Sequence, residues 1–167
     1  MKLNTGKRIA LLFLSALLLA NLVSYLPAGA AEALPDFILK STAGNTVSLH
    51  QFKGNQPVLI EFFATWCPHC QEMAPELAKL RNSIPQSRLA ILAIDVGSRD
   101  SFEKVKRYVK DEKLPYTVLY DDGSKVSEAY GVMGIPYFIL LDKTGAVKYQ
   151  GYELPANVMG LIEQVKK

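Results

Sequence analysis

An α/β fold, with a central mixed sheet flanked by helices, is predicted by three features of the sequence. Two apolar runs, Pro57 to Ala64 and Arg88 to Val96, are long and nearly unbroken, as strands buried on both faces are. Segments with apolar residues at helical spacing alternate with them. A strand, turn and strand signal then precedes a final helix, so strands and helices alternate in the manner of a layered sheet.

The first thirty residues stand outside this pattern. Lys2, Lys7 and Arg8 precede an apolar run from Ile9 to about Leu26, the layout of a secretory leader. Ala28 and Ala30 are small residues at the spacing signal peptidase needs, with Pro27 breaking the apolar helix before them, so cleavage after Ala30 is one expectation. A run of about 18 apolar residues also just suffices to span a bilayer with its basic end in the cytoplasm. An uncleaved membrane anchor at 1–30 is therefore the other. Either outcome delivers a single domain, 31–167, outside the cytoplasm.

The formal charge of +3 comes from this leader: without its three basic residues, sixteen Lys and Arg stand against sixteen Asp and Glu. A near-neutral domain has no surface for tracking phosphates, which argues against a nucleic-acid partner. The basic cluster Lys104, Lys106, Arg107 and Lys110 is interspersed with Glu103, Asp111 and Glu112 and reads as a solvated helix face. Both cysteines of the chain fall in one motif, leaving none for a structural disulfide, so packing must stabilise the domain.

The elements follow in order. Phe37 to Lys40 and Thr46 to Leu49 are strand candidates joined by Ala43-Gly44-Asn45, which predicts a leading hairpin. Pro57 to Ala64 is a buried strand with one acid, Glu61, inside it. A helix is expected from Pro68 to about Ser83, with Met73, Leu77 and Leu80 inward and a kink at Pro75. The strand from Arg88 to Val96 ends at Gly97. A helix from Ser101 to Glu112 follows, with Asp100 and Glu103 at capping-box spacing and Phe102, Val105 and Val109 facing inward. Tyr116 to Tyr120 is a strand, Ser124 to Tyr130 a short helix, and Tyr137 to Leu141 a strand. Asp142 to Gly145 turns the chain into Ala146 to Gln150, and Leu154 to Lys167 closes it as a helix.

The chemistry lies in Trp66-Cys67-Pro68-His69-Cys70. Disulfide exchange needs one accessible thiolate to attack and a second thiol close enough to displace the mixed disulfide. Pro68 suits the first helical position, where a missing N–H is harmless. Cys67 then sits at the helix N-terminus, where free N–H groups and the dipole favour a thiolate. Cys70, one turn inside, is the resolving thiol. An imidazole at His69 would stabilise the thiolate further, hence the reduced form, and so make the disulfide a stronger oxidant.

These motifs give the chain a clear resemblance to the thioredoxin superfamily, and within it to the TlpA/ResA-like exported branch. The residues that carry the resemblance are Pro35-Asp36-Phe37, Val47-Ser48-Leu49, Phe62 to Cys67, Tyr130-Gly131-Val132, Gly134-Ile135-Pro136 and Leu141 to Gly145. The resemblance implies a thioredoxin fold with an N-terminal β-hairpin and a strand–helix insertion. It implies thiol–disulfide oxidoreductase activity without a cofactor, on cysteine-containing protein substrates, with a membrane or exported redox partner, by a monomer. Glu61, six residues before Cys67, resembles the superfamily's buried acid, a proton relay for the resolving cysteine. Pro136 matches its cis-proline. The residues expected to meet substrate are Trp66, Pro68, Ile135 and Pro136. One departure bears on direction: the branch commonly has proline just before the second cysteine, whereas here proline is second and histidine third, as in DsbA-like oxidants.

A different reading of the same thiols is soft-metal binding, for instance copper delivery, by Cys67, Cys70 and His69. A structural zinc site would need four ligands, and His50 is the one other histidine. An inert disulfide in a binding module is a third reading. Haem attachment fails, because Gln71 stands where Cys-x-x-Cys-His requires histidine. An isolated peroxidatic thiol is absent too.

Overall fold

The computed structural model describes residues 34–163. The expected leader at 1–30 and the end of the closing helix lie outside them. Seven strands form one sheet: β1 (Ile38–Ser41), β2 (Thr46–Ser48), β3 (Val58–Phe63), β4 (Ala90–Asp95), β5 (Thr117–Tyr120), β6 (Tyr137–Leu141) and β7 (Val147–Gly151), in the order β2-β1-β5-β4-β3-β6-β7. The helices are α1 (Pro68–Ser83), α2 (Phe102–Asp111), α3 (Lys125–Ala129) and α4 (Val158–Glu163).

The two apolar runs become the centre of the sheet. β3 and β4 pair in parallel, and all six residues of each are buried. β5 continues the parallel set beside β4, while β6 pairs antiparallel with the other side of β3. The hairpins β1/β2 and β6/β7 close the two edges. The expected mixed sheet and leading hairpin are therefore present, and β5 with α3 forms the strand–helix unit ahead of the last hairpin.

Alternation along β3 assigns helices to both faces. Phe62 packs on Tyr130, which follows α3, with ring centroids 5.6 Å apart, whereas its neighbour Phe63 meets Tyr108 of α2 at 6.2 Å. Successive strand residues point to opposite faces, so α2 and the end of α3 lie on different sides. Tyr130 also donates its hydroxyl to the Pro35 carbonyl at 2.6 Å, which fastens the chain entering β1 to the core.

Some local expectations need correction. Asp100 does not cap α2: the Ser101 hydroxyl accepts the Lys104 N–H at 3.3 Å, and Asp100 turns instead toward Thr65. A serine in extended conformation directly before the first helical residue is the better placed cap. Helix α1 spans Pro68–Ser83 as expected, with Pro75 inside it. Helix α4 begins at Val158 rather than Leu154, because Leu154 and Pro155 are still irregular and Pro155 suits entry to a helix rather than its interior.

Candidate active site

Cys67 and Cys70 are joined by a disulfide at the start of α1. Cys67 is the N-cap and Pro68 the first helical residue, and the Cys67 sulfur accepts the Cys70 N–H at 3.2 Å. One of the helix's free N–H groups is thus aimed at the sulfur on which negative charge would develop. Both cysteines are buried, so in this disulfide form exposure does not separate the two thiols.

Two loops enclose the pair. The segment before β6 brings the Ile135 carbonyl oxygen to 3.8 Å from Cys67 Sγ, and the Ile135–Pro136 peptide is cis, as the resemblance implied. Beside it runs a groove of about 320 Å³ lined by His69, Glu72, Met73, Ile135, Pro136, Tyr152 and Glu153. On the other side Trp66, about one third exposed, donates its indole N–H to Ser98 O at 2.7 Å and carries the Arg99 guanidinium 3.9 Å over its ring. Trp66, Pro68, Ile135 and Pro136 therefore gather around the disulfide.

His69 and Glu61 are placed differently from each other. His69 is exposed on the first turn of α1, and its Nδ1 lies 3.1 Å from Glu72 Oε2. Glu61 is buried in mid-β3, between Ala93 of β4 and Phe138 of β6, on the face it shares with Phe63. Burial pushes its carboxyl up to about 8. Its charge reaches the phenols of Tyr108 and Tyr116, and neither cysteine sulfur is within hydrogen-bond length of it.

The sequence reading passed over a second buried acid. Asp95 ends β4 with no exposed surface; Gly97 donates its N–H to Asp95 Oδ1 at 2.9 Å, and Oδ2 has no donor. Burial, with the neighbouring Asp100 carboxyl, pushes it up to about 8. Gly97 itself has φ +68°, and a Cβ there would collide with the Asp121 carbonyl oxygen, which is why the chain turns on glycine at this point. The signal that singled out Glu61, an acid inside a run of buried apolar residues, also marks Asp95. Thr65, Gln71, Ser98 and Arg99, which frame the active-site loop through hydrogen bonds and stacking, carried no comparable signal. Gln71 Nε2 donates to Thr65 O at 2.8 Å.

His50 lies in a 3-10 turn after β2, where its backbone N–H donates to Asp36, and it lines none of this site. Among the described residues no group of three or more His, Cys, Asp or Glu is arranged to hold a metal ion.

Comparison with known proteins places this architecture. The model of the AhpC/TSA family matches residues 30–150. The thiol-disulfide oxidoreductase ResA of Bacillus thuringiensis subsp. konkukian is 32% identical over 113 residues, 68% of this chain and 64% of ResA. The chain thus spans just under two thirds of the length of that relative. The thioredoxin-like protein YneN of Bacillus subtilis is 33% identical over 118 residues, 70% of this chain and 68% of YneN. A solution structure from Neisseria meningitidis superposes with a TM-score of 0.67 at 31% identity, covering 80% of this chain and 87% of that one. With a Cys-x-x-Cys pair at the head of α1 and a mixed sheet of this topology, the chain belongs to the AhpC/TSA family, in its thioredoxin-like branch.

Proposed function

We propose that the protein is a thiol–disulfide oxidoreductase that exchanges the Cys67–Cys70 pair with cysteine-containing protein substrates outside the cytoplasm. The observation that carries this reading is the setting of Cys67: its sulfur accepts the Cys70 N–H at the helix start and lies 3.8 Å from the Ile135 carbonyl, beside an open groove. In the reduced protein, Cys67 thiolate attacks a substrate disulfide and Cys70 displaces the resulting mixed disulfide. Ile135 and Pro136 offer backbone to an extended substrate, Trp66 and Pro68 flank the approach, and Glu61 takes the proton of Cys70. The names of ResA and YneN support the reaction class. The basic and apolar leader supports export, whether residues 1–30 are removed or kept as an anchor.

The His69–Glu72 contact bears on direction. A protonated imidazole paired with a carboxylate on an exposed helix turn exerts little net field on Cys67. The main argument for a strongly oxidising couple is thereby weakened, and the reading favours a reductant recycled by a membrane or exported partner. Equilibration with thiol buffers tests it. A potential near thioredoxin's ~−270 mV, together with reduction of insulin, is expected; a value near ~−120 mV would make the protein an oxidant. Failure of the wild type to exchange with insulin or any thiol buffer would remove the enzymatic reading altogether.

A further inference from the structure

Behind the active-site loop lies a pair of acids that the exchange chemistry does not use. Asp95 closes β4, and Asp100 stands five residues on, in the loop before α2; the side chains of both are without exposed surface. Asp100 is held as an acceptor. Its Oδ2 takes the Thr65 N–H at 2.9 Å, and its Oδ1 takes the Thr65 hydroxyl at 2.7 Å and Lys104 Nζ at 2.5 Å. Burial alone would raise Asp100, but these bonds outweigh it and hold the carboxyl below the usual range.

Asp95 has the complementary arrangement. Its Oδ1 already accepts the Gly97 N–H, while Oδ2 faces the Asp100 carboxyl without a donor of its own; the nearby Thr65 N–H, which draws Asp95 down in part, is bonded to Asp100. As a carboxylate, that oxygen would be a buried orphan beside another negative charge. As a carboxylic acid it becomes the donor that the geometry lacks. Two carboxyls in contact cannot both ionise cheaply, and here the lysine and the threonine determine which of them keeps the charge.

We infer that Asp95 and Asp100 hold a single proton between them, with Asp95 Oδ2–H donating to the Asp100 carboxylate, and that through Thr65 this pair positions the Trp66–Cys67 segment for exchange. The inference rests on the exchange function proposed above and adds two positioning residues to it. Thr65 is two residues from Cys67 and is gripped three ways: by Asp100 at its N–H and hydroxyl, and by Gln71 at its carbonyl. The next residue, Trp66, is tied to Ser98 in the same β4–α2 loop. Loss of the proton to hydroxide changes the pair from one negative charge to two, with only Lys104 opposite, and the Asp100 acceptor geometry that grips Thr65 is then disturbed. The charged and titratable groups facing the pair are Lys104 from α2 and Tyr120 from β5, whose hydroxyl donates to Asp100 O at 3.1 Å. Asp121 adjoins Asp95 through its backbone, its N–H donating to Asp95 O at 2.9 Å, while its carboxylate accepts from the N–H groups of Val126 and Ser127; Asp122 acts on Tyr120, and Arg99 lies over Trp66.

Asparagine at 95 is the decisive substitution, because its amide oxygen can accept from Gly97 while its N–H₂ donates permanently to Asp100. The experiment measures alkylation of Cys67 and insulin reduction from pH 6 to 10 for wild type, Asp95→Asn, Asp95→Ala and Thr65→Val. A parallel ¹³C NMR titration follows the aspartate carboxyls, which are resolved from the glutamate carboxyl of Glu61. One aspartate titrating several units above its ordinary range, absent in Asp95→Asn, is expected. The exchange rate of Asp95→Asn should stay within about twofold of wild type at pH 7 and lose the wild type's alkaline break, while Thr65→Val and any folded Asp95→Ala fall about tenfold. The inference is overturned if no aspartate titrates above pH 6. It is equally overturned if Asp95→Asn loses as much rate as Thr65→Val, or if Thr65→Val matches wild type. A wild type that exchanges normally while these outcomes fail would leave the proposed function standing without the carboxyl pair.

Discussion

Cys67 Sγ and the Ile135 carbonyl oxygen, 68 residues apart in the chain, lie 3.8 Å from each other. That proximity sets the sulfur proposed to attack against the backbone proposed to meet an extended substrate, while Cys70 is one helical turn further in. The proposed order of events is an attack by Cys67 and a resolution by Cys70.

Cys67→Ser should therefore abolish exchange with dithiol substrates, and Cys70→Ser should accumulate mixed disulfides that survive non-reducing electrophoresis. Rapid alkylation of the reduced wild type, followed by peptide mapping, checks the assignment directly. Preferential labelling of Cys70 would reverse the roles.

Glu61→Gln should slow resolution of the mixed disulfide, because it removes a proton acceptor while keeping the side-chain volume. The acid is raised to about 8, so the ratio of the wild-type rate to that of the variant should grow as pH passes through that value. Stability moves the other way. A folded-state value above the unfolded one means that native protein holds a proton the unfolded chain has released, so stability is fully present below about pH 4.5 and is lost as pH rises through 8. Glu61 and Asp95 should each make stability decline as pH rises through that window. Denaturant unfolding of Glu61→Gln should show a shallower decline of stability with pH than wild type. Exchange rates equal to wild type between pH 6 and 8 would reduce Glu61 to a structural residue.

Glu72→Gln should raise the reduction potential by roughly 10–20 mV, because it removes a negative charge from the first turns of α1 and leaves the thiolate with an unopposed histidine. His69→Ala should lower it by no more than about 10 mV. The order of these two effects is the test. A large drop in His69→Ala with no change in Glu72→Gln would show that the imidazole acts on Cys67 without interference from its partner.

The architecture was largely legible in local pattern. Val58–Phe63 and Ala90–Asp95 are apolar apart from one acid each because each is covered on both faces, and that burial is written in composition. Cys67-Pro68 at a helix start was equally legible, since a proline at the first position and an acceptor at the cap are requirements local to a few residues. Glu61 stood out for the same reason, as one charge in an apolar run.

What the sequence alone settled, then, was every feature whose cause lies within one turn or one strand: the element order, the redox pair, the anomalous acid. The tertiary structure decided what depends on residues distant in the chain. Asp100 looked like a helix cap, yet its hydrogen bonds go to Thr65, 35 residues earlier, because the end of β4 and the end of β3 lie side by side in the parallel sheet. For His69 the fold adds a partner that the sequence did not mark, Glu72 on the same face of α1, 3.1 Å from its ring. Asp95 is the clearest case, since a single carboxyl at a strand end says nothing about its proton until the fold places another carboxyl against it in a site closed to water.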